Sequence, residues 1–178
     1  VPYKIKTYQQ ILKNPKDTIE FNHTADTAIR KRMMQFGADG ALLTNNREAI
    51  HHVNFAEKIL ANLLAKLTNL VPGGGIWMNT QRPEWNDANN ALVGNGLSMV
   101  TLYYLRRFLV FIKPLFNSKI KTDFLLSTEL YNYFISVAAI FEKYVGSLPV
   151  GMDNQLKKKM MDELGEVSSE FRTTVYSN

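Results

Sequence analysis

Cysteine is absent from this chain of 178 residues. That excludes disulfides, thiolate-bound zinc and a cysteine nucleophile, and leaves the redox compartment open. Histidine is scarce, with three residues, two of them adjacent as His51-His52. Adjacent side chains on a helix diverge too widely to serve one ion, and although Glu48 lies one turn from His52, no second ligand pair at i, i+4 spacing appears, so no metal is expected and no cofactor either. An alternation begun by Asp87 and Asn89 is broken by Ala91 and Val93, against a calcium loop. No stretch reaches the roughly 18 uninterrupted apolar residues of a membrane span. Residues 99–116 are interrupted by Arg106, Arg107 and Lys113, and residues 124–144 by Glu129, Asn132 and Glu142. Both read as buried helices, and no membrane partner is expected. Also missing are a sustained two-residue alternation of β-branched residues, a Gly-x-Ser-x-Gly elbow, a Gly-Lys-Ser/Thr phosphate loop and any internal repeat. The opening Val1-Pro2-Tyr3-Lys4 carries no signal-peptide pattern and no initiator methionine, and the chain is expected to be cut from something longer.

What is present is an ordinary globular balance, 46% apolar and 21% charged. The net charge is +5. Its cations are dispersed apart from Arg30-Lys31-Arg32 and Lys157-Lys158-Lys159, which read as solvated helix faces. No nucleic-acid motif accompanies them, so no nucleic-acid partner is expected. The whole of 1–178 is expected to be a single helical domain or a fragment of a larger catalytic domain, with an irregular lead-in over 1–22.

Apolar spacing and caps predict five helices. The first covers 24–36, capped by Thr24 and ended by Gly37, with a turn at Gly37-Ala38-Asp39-Gly40. The second starts from Asn45 or Asn46 and runs through Ile50, Val53, Ile59, Leu60, Leu63, Leu64, Leu67 and Leu70 to a stop at Pro72-Gly73-Gly74-Gly75. Ser98 caps a third over 99–113, before Pro114. Thr122 or Asp123 caps a fourth, which ends near Gly146, and a fifth runs from about Asp153 to Thr173. The fold class is all-α, as stacked αα-hairpins. The aromatic stripe Tyr103, Tyr104, Phe108 and Phe111 is expected to pack in the core, its tyrosines reaching a site only if that helix starts at one.

Between the second and third helices lies the functional loop, 72–97. Loops longer than about 12–15 residues without structure of their own are uncommon in compact domains. This one carries Ile76, Trp77, Met78, Trp85, Leu92 and Val93, which want burial, so it should be ordered. It also gathers Arg82, Glu84, Asn86, Asp87, Asn89 and Asn90 beside both tryptophans of the chain. An indole face packs against the C–H face of a pyranose while carboxylates, amides and a guanidinium bind its hydroxyls. A carboxyl group held against tryptophan in a dry pocket keeps its proton and can deliver it to a glycosidic oxygen. Asp87 and Glu84 are the loop's only acids. The same residues also suit a purely structural role, since Asn and Asp form turns and tryptophan often plugs a core.

Trp85-Asn86-Asp87-Ala88-Asn89-Asn90, followed by Val93-Gly94 and by Gly96-Leu97-Ser98 at the head of an aromatic-rich helix, resembles the Trp-Asn-Asp-Gly-Met-Asn segment of the inverting disaccharide phosphorylases. That group includes cellobiose and chitobiose phosphorylases and the phosphorylase-like domain of cyclic glucan synthases. The resemblance implies an (α/α)6 barrel with the motif's aspartate, here Asp87, as general acid at its mouth. Two departures stand out: Pro83-Glu84 replaces the usual Gly-Asp, and Ala88-Asn89 replaces Gly-Met. From Pro72 through Arg107 the chain is also similar to large bacterial proteins that carry such a loop in mid-chain.

A barrel of six hairpins is more than five helices can close, so the resemblance further implies that the remainder of a parent chain, or a second subunit, completes it. The expected function is glycosidic bond cleavage, by hydrolysis or by phosphorolysis. Asp87 is the acid, Glu84 a second carboxylate or substrate ligand, and Trp77 and Trp85 stacking platforms. Arg82, Asn86, Asn89 and Asn90 contact hydroxyls or phosphate, and the partners are an oligosaccharide and, for phosphorolysis, inorganic phosphate. The alternative is a non-catalytic helical interaction or sugar-binding domain in which loop 72–97 is structural.

Overall fold

The computed structural model describes residues 2–44, 49–79, 95–117 and 123–177. It is mostly helical, with six α-helices and two small antiparallel sheets among these residues. The sheets depart from an all-α class. The chain divides into two compact units, Val1–Phe55 with Ser169–Asn178, and Ala56–Ser168.

In the first unit the lead-in expected to be irregular forms a strand, a helix and a strand. β1 (Tyr3–Ile5) pairs with β2 (Ile19–Phe21), Tyr3 opposite Phe21 and Ile5 opposite Ile19. Tyr-Lys-Ile and Ile-Glu-Phe do alternate, but three residues are too few for a period to stand out from sequence. Between them α1 (Tyr8–Lys13) starts with a capping box: the Thr7 hydroxyl accepts from Gln10 N and the Gln10 side-chain Oε1 accepts from Thr7 N. α2 (His23–Phe36) begins one residue before the expected Thr24 cap, because Asn22 Oδ1 accepts from Ala25 N at 2.9 Å. Gly37, at φ +65°, ends it as expected, and a 3-10 turn (Gly37–Ala41) follows. Ser169 Oγ accepts from Tyr8 N, and the Tyr176 hydroxyl from Ile5 N.

In the second unit the helix expected from Asn45 or Asn46 is shorter at both ends. α3 covers Phe55–Leu67. The possible caps at 45 and 46 lie outside the described residues, but Ile50 pairs with Thr44 in an isolated bridge instead of joining a helix. The run Ile50-His51-His52-Val53-Asn54 consists of weak helix formers. At the other end Leu70 bridges to Ile76. Pro72-Gly73-Gly74-Gly75 makes the turn between them, with Gly73 at φ +75° and Val71 N donating to Gly75 O at 2.9 Å.

β3 (Ile76–Asn79) and β4 (Asn95–Ser98) form the second sheet, leading directly into α4 (Met99–Asn117). The helix passes through Pro114 where a stop was expected. Proline there lacks one donor and crowds the carbonyl four residues back, yet it sits in the last turn, where little helix remains to be disturbed.

α5 (Thr128–Tyr144) starts later than expected, after a stretch without regular structure at 123–127. In Phe124-Leu125-Leu126 a continuous apolar run hides the boundary. α6 (Asn154–Ser177) is capped by Asp153, whose Oδ1 accepts from Leu156 N at 2.7 Å, and it outlasts the expected end at Thr173.

Leu63, Ile76, Leu105 and Ile112 pack together, joined by Leu60, Leu67, Leu70 and Leu102. Leu64, Leu130, Tyr133, Val137, Ile140, Met160 and Leu164 are also buried. One polar link lies among them: Tyr133 OH is 3.0 Å from Thr68 Oγ1, and both hydroxyls reach Leu64 O.

Candidate functional site

The hairpin β3–β4 is what holds the candidate loop. Its register sets Ile76 opposite Ser98, Trp77 opposite Leu97, Met78 opposite Gly96 and Asn79 opposite Asn95. The segment 80–94 therefore leaves and rejoins the fold at paired positions, about 5 Å apart in an antiparallel ladder. Arg82, Glu84, Trp85, Asn86, Asp87, Asn89 and Asn90 all lie in that segment, outside the described residues.

The foot of the hairpin is firmly built. Ile76 is 1% exposed and packs on Leu63, Leu105 and Ile112. Trp77 N donates to Asn69 O at 2.7 Å, tying β3 to the end of α3. Ser98 caps α4, as its sequence position suggested: its Oγ accepts from Thr101 N at 3.1 Å and lies 2.8 Å from Thr101 Oγ1. Thr101 Oγ1 in turn donates to Met78 Sδ at 3.4 Å. Gly75 has no room for a side chain, since a Cβ there would sit 2.9 Å from Ser98 O.

Of the expected site residues, Trp77 is the one among those described. It is 43% exposed and shares its face of the hairpin with Leu97, 40% exposed. An indole in this posture can take a flat apolar ligand surface without rearrangement of the strand. Tyr103 and Tyr104 belong to a helix that starts directly at β4, but they are exposed, as is Phe111, and Phe108 lies at the edge of exposure. The expected core role for this stripe is not what the fold uses. Leu105 and Ile112 make the buried contact, and a helix resting on so narrow a line leaves its other sides open.

Two arrangements had no sequence signal. Glu163 Oε1 on α6 accepts from Lys143 Nζ at 2.6 Å and from Tyr144 OH at 3.0 Å, both on α5. The hydrogen bond to Glu163 raises the Lys143 pKa; burial first, then the same carboxylate, raises that of Tyr144. This cluster ties α5 to α6. The second concerns Lys157, which lies beside the turn at Gly73, while Lys158 pairs with Asp162 on its own helix. Only spatial proximity distinguishes these lysines within their run.

No protein-family model matches the chain, and no curated protein matches it.

Proposed function

We propose that this is a carbohydrate-active region whose site is the segment 80–94 together with Trp77, acting in glycosidic bond cleavage. Asp87 is the general acid and Glu84 a second carboxylate or substrate ligand. Trp77 and Trp85 stack on sugar rings, and Arg82, Asn86, Asn89 and Asn90 bind hydroxyls or phosphate. Hydrolysis with inversion requires the two carboxyls about 6.5–9.5 Å apart, with water between them. Phosphorolysis requires a cation for phosphate, which Arg82 supplies.

The observation that supports this reading best is the half-exposed Trp77, one residue above a foot locked into the core, on the hairpin whose far end at Asn79 and Asn95 carries the segment 80–94. Rigid elements that present a polar loop are the usual basis of a binding site. In this reading the helices belong to an (α/α)6 toroid, completed by the remainder of a parent chain or by a second subunit.

The test is tryptophan emission of the 178-residue chain titrated with gluco- and manno-oligosaccharides, with and without phosphate, on the parent, Trp77→Ala and Asp87→Asn. A saturable change that weakens about tenfold or more in Trp77→Ala, a loss of roughly 1.4 kcal/mol, is the expected result. No response from a folded chain sinks the reading. A response that leaves Asp87→Asn fully active in bond cleavage removes Asp87 as the acid.

The second reading, a helical interaction domain in which the loop is structural, is favoured by a separate observation. α4 and α5 carry large apolar side chains in the open, among them Phe111 at 65% and Tyr131 at 52% exposure. Surfaces of that kind mark contact sites.

A further inference from the structure

We propose that the outward side of α4 docks on an anionic lipid bilayer, with the helix lying in the plane of the headgroups. The proposal is independent of the carbohydrate reading.

Only Leu105 and Ile112 of α4 are buried. Val100, Tyr103, Tyr104, Phe111 and Leu115 fall on one helical stripe turned about 120° from that buried line, each 59–65% exposed. Aliphatic and aromatic side chains on both sides of one helix are ordinarily covered on both sides.

Charge decides among the possible covers. Between Met99 and Asn117 the helix has Arg106, Arg107 and Lys113 and no acidic residue. The Arg107 guanidinium lies 5.5 Å from the Tyr104 ring centroid, so a cation sits within the apolar stripe. A second copy paired on this face would bring the two Arg107 guanidinium groups together, with no carboxylate on the helix to answer them. An anionic surface answers Arg107 within the stripe, and Arg106 and Lys113 on its flank reach that surface along their aliphatic stems.

Shape then favours lipid over an acidic protein. The helix is a ridge open on most of its circumference, and a fluid bilayer accepts a ridge without a matching groove. Tyrosine is enriched at the headgroup level, phenylalanine and leucine bury at the boundary with the acyl chains, and arginine and lysine reach phosphates from there. Past the helix further apolar side chains are open, with Phe124 48% and Leu125 83% exposed. Among the described residues no helix is long and apolar enough to cross a membrane. The sequence-based expectation of no membrane partner rested on that same lack of a span, and a helix lying flat does not need one.

The experiment is flotation of the 178-residue chain with vesicles of phosphatidylcholine alone and of phosphatidylcholine mixed with phosphatidylglycerol, alongside sedimentation without lipid. Three cations at roughly 1 kcal/mol each correspond to about a hundredfold stronger partitioning onto the mixed vesicles. Phe111→Glu, at an exposed position that leaves helical circular dichroism unchanged, is expected to abolish it. Equal binding to both vesicle types overturns the proposal, as does binding undiminished in Phe111→Glu. So does absence of binding. In that case, a dimer disrupted by Phe111→Glu assigns the face to a second copy, and a monomer assigns it to a protein partner.

Discussion

At the scale of single residues, the cluster of Lys143, Tyr144 and Glu163 makes stability depend on alkaline pH. Tyr144 is only 3% exposed, and burial followed by its bond to Glu163 holds its phenolic proton more tightly in the folded state. Lys143 is likewise raised, chiefly by its hydrogen bond to Glu163. A raised folded pKa means that the unfolded chain loses its proton first. Their contribution is therefore complete below about pH 10, where both groups are protonated in either state, and is lost as pH climbs through the raised folded values. Urea unfolding from about pH 8 to about pH 11 should show stability falling more steeply in the parent than in Tyr144→Phe, which cannot ionise. Identical slopes would mean that this phenol carries no linkage. Neither the burial of Tyr144 nor its distance from Glu163 is visible in the local sequence, because the partners are 19 positions apart.

At the scale of elements, a turn, two strands and a helix start act as one joint. Gly75 approaches Ser98, and Ser98 both ends β4 and caps α4. The substitution Gly75→Ala would set a Cβ 2.9 Å from Ser98 O, a backbone atom that moves only by parting the strands. We expect a loss of roughly 1–3 kcal/mol in denaturant unfolding, as for other overpacked positions; a loss below about 0.5 kcal/mol would mean that the foot of the hairpin is pliable.

Half of this joint was legible beforehand. Pro72-Gly73-Gly74-Gly75 and Ser98 carry local chemistry, so the helix stop and the cap could be read directly. The strands could not, because the strand formers Ile76-Trp77 are only two residues and Asn95-Gly96-Leu97-Ser98 has none, so that the pair is held by each other and by the segment after α3. For the same reason tertiary contact, and not periodicity, decides where α3 and α5 begin. The candidate site was legible as a collection of residue types on one loop. What the fold adds is the hairpin beneath it and the exposure of Trp77.

At the scale of the whole molecule, apolar burial is distributed very unevenly. Among the described residues the buried hydrophobic side chains all fall between Ala56 and Leu164, within the second unit. In the first unit the buried positions among the described residues are Thr18, Gly40 and Ser169, while Met34 and Phe36 on α2 are 87% and 67% exposed. Burial at about 25 cal/mol per Å² is the dominant favourable term. A unit without it rests on short strand pairs, caps and bonds such as Tyr8 N to Ser169 Oγ, each contributing about 1 kcal/mol net. Amides of α1, α2 and the β1–β2 ladder should accordingly exchange through local openings of a few kcal/mol at most, while those of α5 between Leu130 and Tyr144 approach the protection of global unfolding. Hydrogen exchange followed by mass spectrometry checks this peptide by peptide. Equal protection of α2 and α5 would mean that the first unit gains its stability from a surface beyond its own described contacts, and its exposed methionines and Phe36 would be where to look for it.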